Sequence, residues 1–257
     1  MAITGIEYNL FKLLREQNAV PLGAEVLELG EANWYGDVDV RVLGQDVYRF
    51  VPEDSRQETF RRLDEIVAAK RPGMLFEIAK IFWQTFLQPR AMTAIDFHGT
   101  EQALKLDLNT PINLGRQFQI VLNLGTAEHV FNVAQVFKSI HDHAAPGGVM
   151  VHGLPFSGWV DHGFFNFNPT FYWDLAAANG YTVMAAIYTE LNPLKLIQLH
   201  GRESIIEMVK QDQIGKNSLI YVVLRKAEQE SDFRIPFQGY YANAVSKEAA
   251  EAWKTLR

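Results

Sequence analysis

Glu25-Val26-Leu27-Glu28-Leu29-Gly30 decides how this chain folds. It is the end of an apolar strand, Ala24–Leu29, with one acid inside it, closed by a glycine and followed by a short loop. An unpaired charge is costly to bury. A carboxylate two residues before the glycine at a strand tip therefore predicts a cationic group above the strand end. Downstream, strand-like and helix-like segments alternate, which implies an α/β fold with a doubly wound, mostly parallel sheet.

Reading outward, Ile6, Leu10, Leu13 and Leu14 recur at helical spacing and predict a helix ahead of the strand. Arg56–Lys70 is charged and helix-favouring, and Leu75, Ile78, Ala79, Phe82 and Phe86 keep the i, i+3, i+4 pattern of another helix. Further strands are predicted at Ala91–Phe97, Ala103–Leu108, Phe118–Leu124, Val149–Leu154, Tyr181–Tyr188 and Leu219–Leu224, which makes a seven-stranded sheet. Val130, Val133, Ala134, Phe137 and Ile140 line a helix that ends at Pro146-Gly147-Gly148. Pro169–Asn179 reads as a helix with proline in its first turn and Gly180 as its stop. Ser246–Arg257 reads as a closing helix.

Asp96, the next acid at a strand end after Gly30, lies far beyond the ~20 residues that a single crossover would need. Residues 37–90 therefore form a helical insertion after the first strand. It leaves from the strand tip that would carry a ligand, so it reads as a lid, with a helical layer or an oligomer interface as the plainer alternatives. Residues 1–257 otherwise read as one domain.

The chain has 257 residues, 48% of them hydrophobic and 21% charged, enough for one large domain with a substantial core. A formal charge of −6 and the lack of a Lys/Arg stripe argue against a nucleic-acid partner. The absence of cysteine excludes disulfides, thiolate catalysis and cysteine metal sites. No apolar run approaches the ~20 residues that span a bilayer. The expectation is a cytoplasmic protein with no membrane partner; a homodimer is compatible with it.

Open parallel sheets bind ligands at the carboxyl ends of their strands. Here the successive tips carry Glu28 and Gly30 followed by Glu31 and Asn33; Asp96 followed by Phe97; Asp107, Leu108 and Asn109; and Asn123, Gly125 and Thr126. Such residues also favour turns and helix caps, but four consecutive tips ending in acid or amide groups form a series. The segments Leu106-Asp107-Leu108-Asn109-Thr110-Pro111, Asn123-Leu124-Gly125-Thr126-Ala127-Glu128-His129-Val130-Phe131-Asn132 and His162-Gly163-Phe164-Phe165-Asn166-Phe167-Asn168-Pro169 are more distinctive. With the first strand, they make the chain resemble bacterial class I S-adenosylmethionine (SAM)-dependent methyltransferases, some of which occur with surface-polysaccharide genes. The resemblance spans roughly residues 24–188 outside the insertion. In the first loop, Ala32 and Trp34 stand where that family has glycines.

The resemblance implies a Rossmann-like methyltransferase fold, SAM as cofactor and a small-molecule acceptor in a biosynthetic reaction. It implies Glu28 facing the cofactor's ammonium and Asp96 its ribose, with Phe97 packing on the nucleoside and Asp107 and Leu108 on the adenine. His162 is the candidate base or acceptor-orienting group, since a histidine near its ordinary pKa exchanges protons at neutral pH. Glu128, His129 and Asn166 are expected to complete the acceptor pocket. No metal is expected: Asp96 and His98 place ligand-type residues close together, as do Asp142, His141 and His143, but the second group reads as the exposed end of a helix, where adjacent positions point in different directions and do not form one coordination sphere. The acceptor could be a sugar hydroxyl, an amine or a natural-product group. A degenerate fold serving as a binding subunit and a SAM-binding enzyme of other chemistry are the alternatives.

Overall fold

The computed structural model describes residues 1–255. A short strand, β1 (Ala2–Ile3), precedes helix α1 (Gly5–Glu16). Thr4 and Glu7 start α1 with a capping box: the Thr4 hydroxyl accepts from the Ile6 amide and the Glu7 carboxylate accepts from the Thr4 amide at 2.8 Å. Ile6, Leu10, Phe11 and Leu14 are buried, while Leu13 stays exposed.

The opening motif forms β2 (Glu25–Leu29), and the loop after Gly30 enters β3 (Asn33–Trp34), which pairs parallel with β1. Residues 37–90 contain α2 (Val40–Phe50), α3 (Glu53–Ala69) and α4 (Met74–Phe86) and lead to β4 (Ala91–Ile95). α4 is the crossover helix that covers the sheet. Phe82, Trp83 and Phe86 pack with Phe11, Val26 and Trp34 in one core cluster. α2 and α3 wrap α4 and add Leu43, Val47, Leu63 and Ile66 to the same cluster. Asp46 ties α2 to α1 by accepting from Tyr8 Oη at 2.6 Å and from Lys12 Nζ at 2.9 Å.

Then come β5 (Phe118–Leu124), α5 (Val133–His143), β6 (Ala144–Ser157), α6 (Pro169–Asn179), β7 (Thr182–Glu190), β8 (Lys195–Gln198), α7 (Arg202–Lys210), β9 (Ser218–Arg225) and α8 (Lys247–Thr255). The main sheet has seven strands in the order β4-β2-β5-β6-β9-β7-β8. Helices cover both faces. Val26 of β2 points into the cluster under α1 and α4, and Leu27 and Leu29 point into the one under α5 and α6.

Two sequence expectations about the strands need correction, although the sheet is mostly parallel as expected: β4, β2, β5, β6 and β7 run in one direction, and β9 and β8 run against them. The link between β7 and β8 is far shorter than a parallel crossover requires. Ala103–Leu108 is not a strand. It touches the sheet through one bridge, Leu104 to Ile95, and its Lys105 instead clamps the preceding turn by donating to the carbonyls of Asp96, Gly99 and Thr100 at 2.8, 3.0 and 3.1 Å. The seventh strand is β8, a short edge strand that periodicity did not reveal. α6 forms where the sequence placed it, with Gly180 at φ +66° as its stop. α8 reaches Thr255, and residues 256–257 of the predicted closing helix lie outside the described residues. Among the described residues, no helix is long and apolar enough to cross a membrane.

Candidate functional site

The carboxyl ends of β2, β4 and β5 are bound to one another and frame a cleft of about 580 Å³, within the usual size of a small-molecule site. The Gly30 amide donates to the Ile95 carbonyl at 2.8 Å, and the Thr126 hydroxyl donates to the Leu29 carbonyl at 2.6 Å. Gly30 sits at φ +85°, and a Cβ there would lie 2.5 Å from Thr126 Oγ1, so the close approach of the two tips requires glycine. Gly125, at φ +72°, turns the tip of β5 and donates to the Gly153 carbonyl at 2.8 Å.

Gly30, Asn33, Asp96, Phe97, Asp107, Leu108, Gly125, Thr126 and His129 line this cleft. Asp96 is held from both sides: one carboxylate oxygen accepts the Glu31 amide at 2.9 Å and the other accepts the His98 amide at 2.8 Å. Asp107 accepts the backbone and side-chain amides of Asn109, both at 2.9 Å, and these bonds lower its pKa. Among the described residues, no Lys or Arg lines the cleft.

Glu28 does not line it. Its side chain points under α4, where Oε1 accepts from the Trp83 indole at 2.7 Å, and burial raises its pKa to about 8. A second cavity, of about 520 Å³ between α3, α4 and β4, borders Glu28 and Glu31. Glu31 is also turned away from the cleft. It accepts from the Thr100 amide at 2.5 Å and the Thr100 hydroxyl at 2.9 Å. Asn123 is fully buried, its amide within 3.2 Å of His152 Nδ1 and its carbonyl oxygen accepting from the Ala127 amide at 3.1 Å. Trp34 is buried against Tyr8 and Phe82, so the residue at the missing-glycine position points into the core.

The structure brings Glu128, His129 and His162 together. Glu128 and His129 lie in the 3₁₀ turn Ala127–His129 after β5. Glu128 is 1% exposed, and burial raises its pKa to about 7. Its Oε1 lies 3.8 Å from His129 Nε2 and 3.9 Å from His162 Nε2, and the two imidazole rings stand edge to face at 4.9 Å. Burial lowers the pKa of His129, with repulsion from His162 second. His162 is carried by the 158–164 loop, which docks through the Phe164 amide donating to the Glu128 carbonyl at 2.7 Å. Gly163 allows that approach, because a Cβ there would lie 2.9 Å from the Glu128 carbonyl oxygen. Asn166 stays apart and braces the loop, its Nδ2 donating to the Gly158 carbonyl at 2.9 Å.

His141 and His143 are held by the protein itself. His141 bonds Tyr181 Oη and the Ser231 carbonyl, both at 2.6 Å, and His143 bonds the Ser139 carbonyl at 2.7 Å and the Leu114 amide at 3.1 Å.

Sequence reasoning missed Met1, Phe76, Ile95, His98, Leu106 and Val130 as cleft residues, and it placed Asn109 at a strand tip, where it lines the cleft. Ile95, His98, Leu106 and Val130 neighbour residues that were identified. Met1 and Phe76 carry no sequence signal, since the β1–β3 pairing and the packing of α4 bring them in.

No protein-family model matches the sequence, and no curated protein matches it. Three similar solved structures are the N-methyltransferase NodS from Bradyrhizobium japonicum WM9, a putative hemolysin from Streptococcus thermophilus and the [4+2]-cyclase SpnF. NodS is 13% identical with a TM-score of 0.45, over 87% of this chain and 96% of that one. The hemolysin is 10% identical at 0.43, over 97% and 74%, and SpnF is 12% identical at 0.41, over 87% and 82%. Likeness at this level carries no argument about function.

Proposed function

We propose that the chain binds SAM in the cleft at the tips of β2, β4 and β5 and transfers its methyl group to a small-molecule acceptor. One observation carries this reading. The cleft lies at the ligand-binding end of a doubly wound sheet and presents the carboxylates of Asp96 and Asp107, against which the described lining residues set the Met1 α-ammonium and no Lys or Arg. That charge pattern suits a cationic ligand and opposes a phosphate-bearing dinucleotide. Asp96, anchored by two backbone amides, keeps lone pairs for a pair of ribose hydroxyls, and Phe97, Leu106 and Leu108 offer apolar surface for a base.

SAM supplies a methyl group on a cationic sulfur. The protein's contribution is to align donor and acceptor, which can provide much of the acceleration. Glu128, His129 and His162, at the Thr126 end of the cleft, form the acceptor side. The 37–90 helices act as a wall, because their apolar faces are locked into the core and only Phe76 reaches the cleft.

Calorimetric titration with SAM and S-adenosylhomocysteine tests the reading. Asp96→Ala should weaken SAM binding at least tenfold, equivalent to about 1.4 kcal/mol. A wild-type chain that does not bind SAM, or an Asp96→Ala variant with unchanged affinity, refutes it.

A further inference from the structure

Glu128, His129 and His162 each offer one ligand-type atom, and these atoms all lie within 4.8 Å of one another. The separations of 3.8 and 3.9 Å between Glu128 Oε1 and the two Nε2 atoms are too long for hydrogen bonds. They are close to what a shared ion requires. Bonds of about 2.0–2.2 Å from a metal to imidazole nitrogen and carboxylate oxygen set neighbouring ligand atoms roughly 3–3.5 Å apart, so the two Glu128–imidazole separations need to contract by a few tenths of an ångström, and the two imidazole nitrogens, within 4.8 Å of each other, need to draw in as well.

A second observation concerns the same carboxyl group. Oε2 of Glu128 is buried with no hydrogen-bond partner, while Oε1 is the oxygen that faces the two imidazoles, on a side chain that is 1% exposed. A buried carboxylate without a bonded cation is unfavourable, and a divalent ion held by this carboxylate and the two imidazoles reduces that penalty. The loop that delivers His162 is held in one conformation. Gly158, Trp159 and Asp161 all adopt left-handed φ, a conformation that non-glycine residues hold only where surrounding structure enforces it. Here the Trp159 indole donates to the Ser218 carbonyl at 3.0 Å, and Asn166 and Phe164 fasten the loop as described.

We propose that Glu128, His129 and His162 bind a divalent transition-metal ion. Two imidazoles and one carboxylate favour ions such as Zn²⁺ or Fe²⁺ over Mg²⁺ and Ca²⁺, which prefer oxygen ligands. Three protein ligands leave at least one position open, and because His129 lines the cleft, that position faces the acceptor. An oxygen bound there becomes more acidic, which makes the acceptor a hydroxyl compound. This role for the ion rests on the methyl-transfer reading; the binding of the ion does not.

The test is calorimetric titration of the metal-stripped full chain with ZnCl₂, with Co²⁺ followed by visible absorption and MgCl₂ as comparison. One Zn²⁺ per chain should bind, with Mg²⁺ at least tenfold weaker. His162→Ala and Glu128→Gln should each weaken Zn²⁺ at least tenfold, whereas His200→Ala, at an exposed histidine elsewhere, should leave it unchanged. Circular dichroism checks that each variant is folded, and if Glu128→Gln is not, the exposed His162→Ala decides. No saturable Zn²⁺ binding, or equal affinity in wild type and His162→Ala, overturns the proposal. SAM titration of the same samples separates the two readings. Binding of SAM without Zn²⁺ removes the ion and keeps the methyl-transfer site, while binding of Zn²⁺ without SAM does the reverse.

Discussion

Glu28 is a buried acid whose hydrogen bond from Trp83 offsets only part of its desolvation. Its pKa rises from an ordinary 4.5 to about 8, so between those values the folded chain keeps a proton that the unfolded chain has released. Stability linked to this group is therefore present below pH 4.5 and is lost as pH rises towards 8, by at most about 1.4 kcal/mol per pH unit. Glu28→Gln keeps an acceptor for the Trp83 indole and removes the ionisation. Urea unfolding at pH 5, 6.5 and 8 should show the variant gaining on wild type as pH rises. A difference that stays constant with pH would show that Glu28 does not carry this linkage.

α4 joins the cleft to the core. Phe76, near its start, lines the cleft, while Phe82 is fully buried with its ring 5.9 Å from Phe11 and 5.0 Å from Phe86. Removing a fully packed aromatic loses its transfer free energy and leaves a cavity, together about 3–5 kcal/mol. Phe82→Ala should destabilise the chain by that amount in denaturant unfolding. A loss under about 1 kcal/mol would mean that α4 is not the main cover of this sheet face.

The cleft is assembled from segments distant in sequence: the chain start, the tip of β2, α4, the turn after β4 and the 3₁₀ turn after β5. A ligand that binds this arrangement stabilises the whole fold by mass action, about 2.7 kcal/mol at one hundred times Kd. For a domain of this size that corresponds to a rise in Tm of roughly 5–10 °C. Differential scanning calorimetry with SAM at that excess should show it. An unchanged Tm at a concentration that saturates binding would mean that the ligand sits outside the folded cleft.

What local pattern could reveal was legible. The period of Leu75–Phe86 marked α4, Pro169 and Gly180 bounded α6, and the polar residues at the strand tips marked Asp96, Asp107, Gly125 and Thr126, because these signals depend on neighbours in the chain. Glu28 was legible as an anomaly but not in its solution, since its partner Trp83 is 55 residues away. Ala103–Leu108 alternates like a strand, but Lys105 finds three carbonyls in the turn before it, and the sheet edge passes to β8 at the opposite end. The sequence by itself determined an α/β domain with ligand-type residues at the tips of its strands. Only the tertiary structure decided which of them meet: Glu128 with both histidines, Asn166 with the loop behind them, and Glu28 with a tryptophan under the sheet. Side-chain direction at a strand tip depends on what packs against each face, and here that was settled by helices far away in the chain.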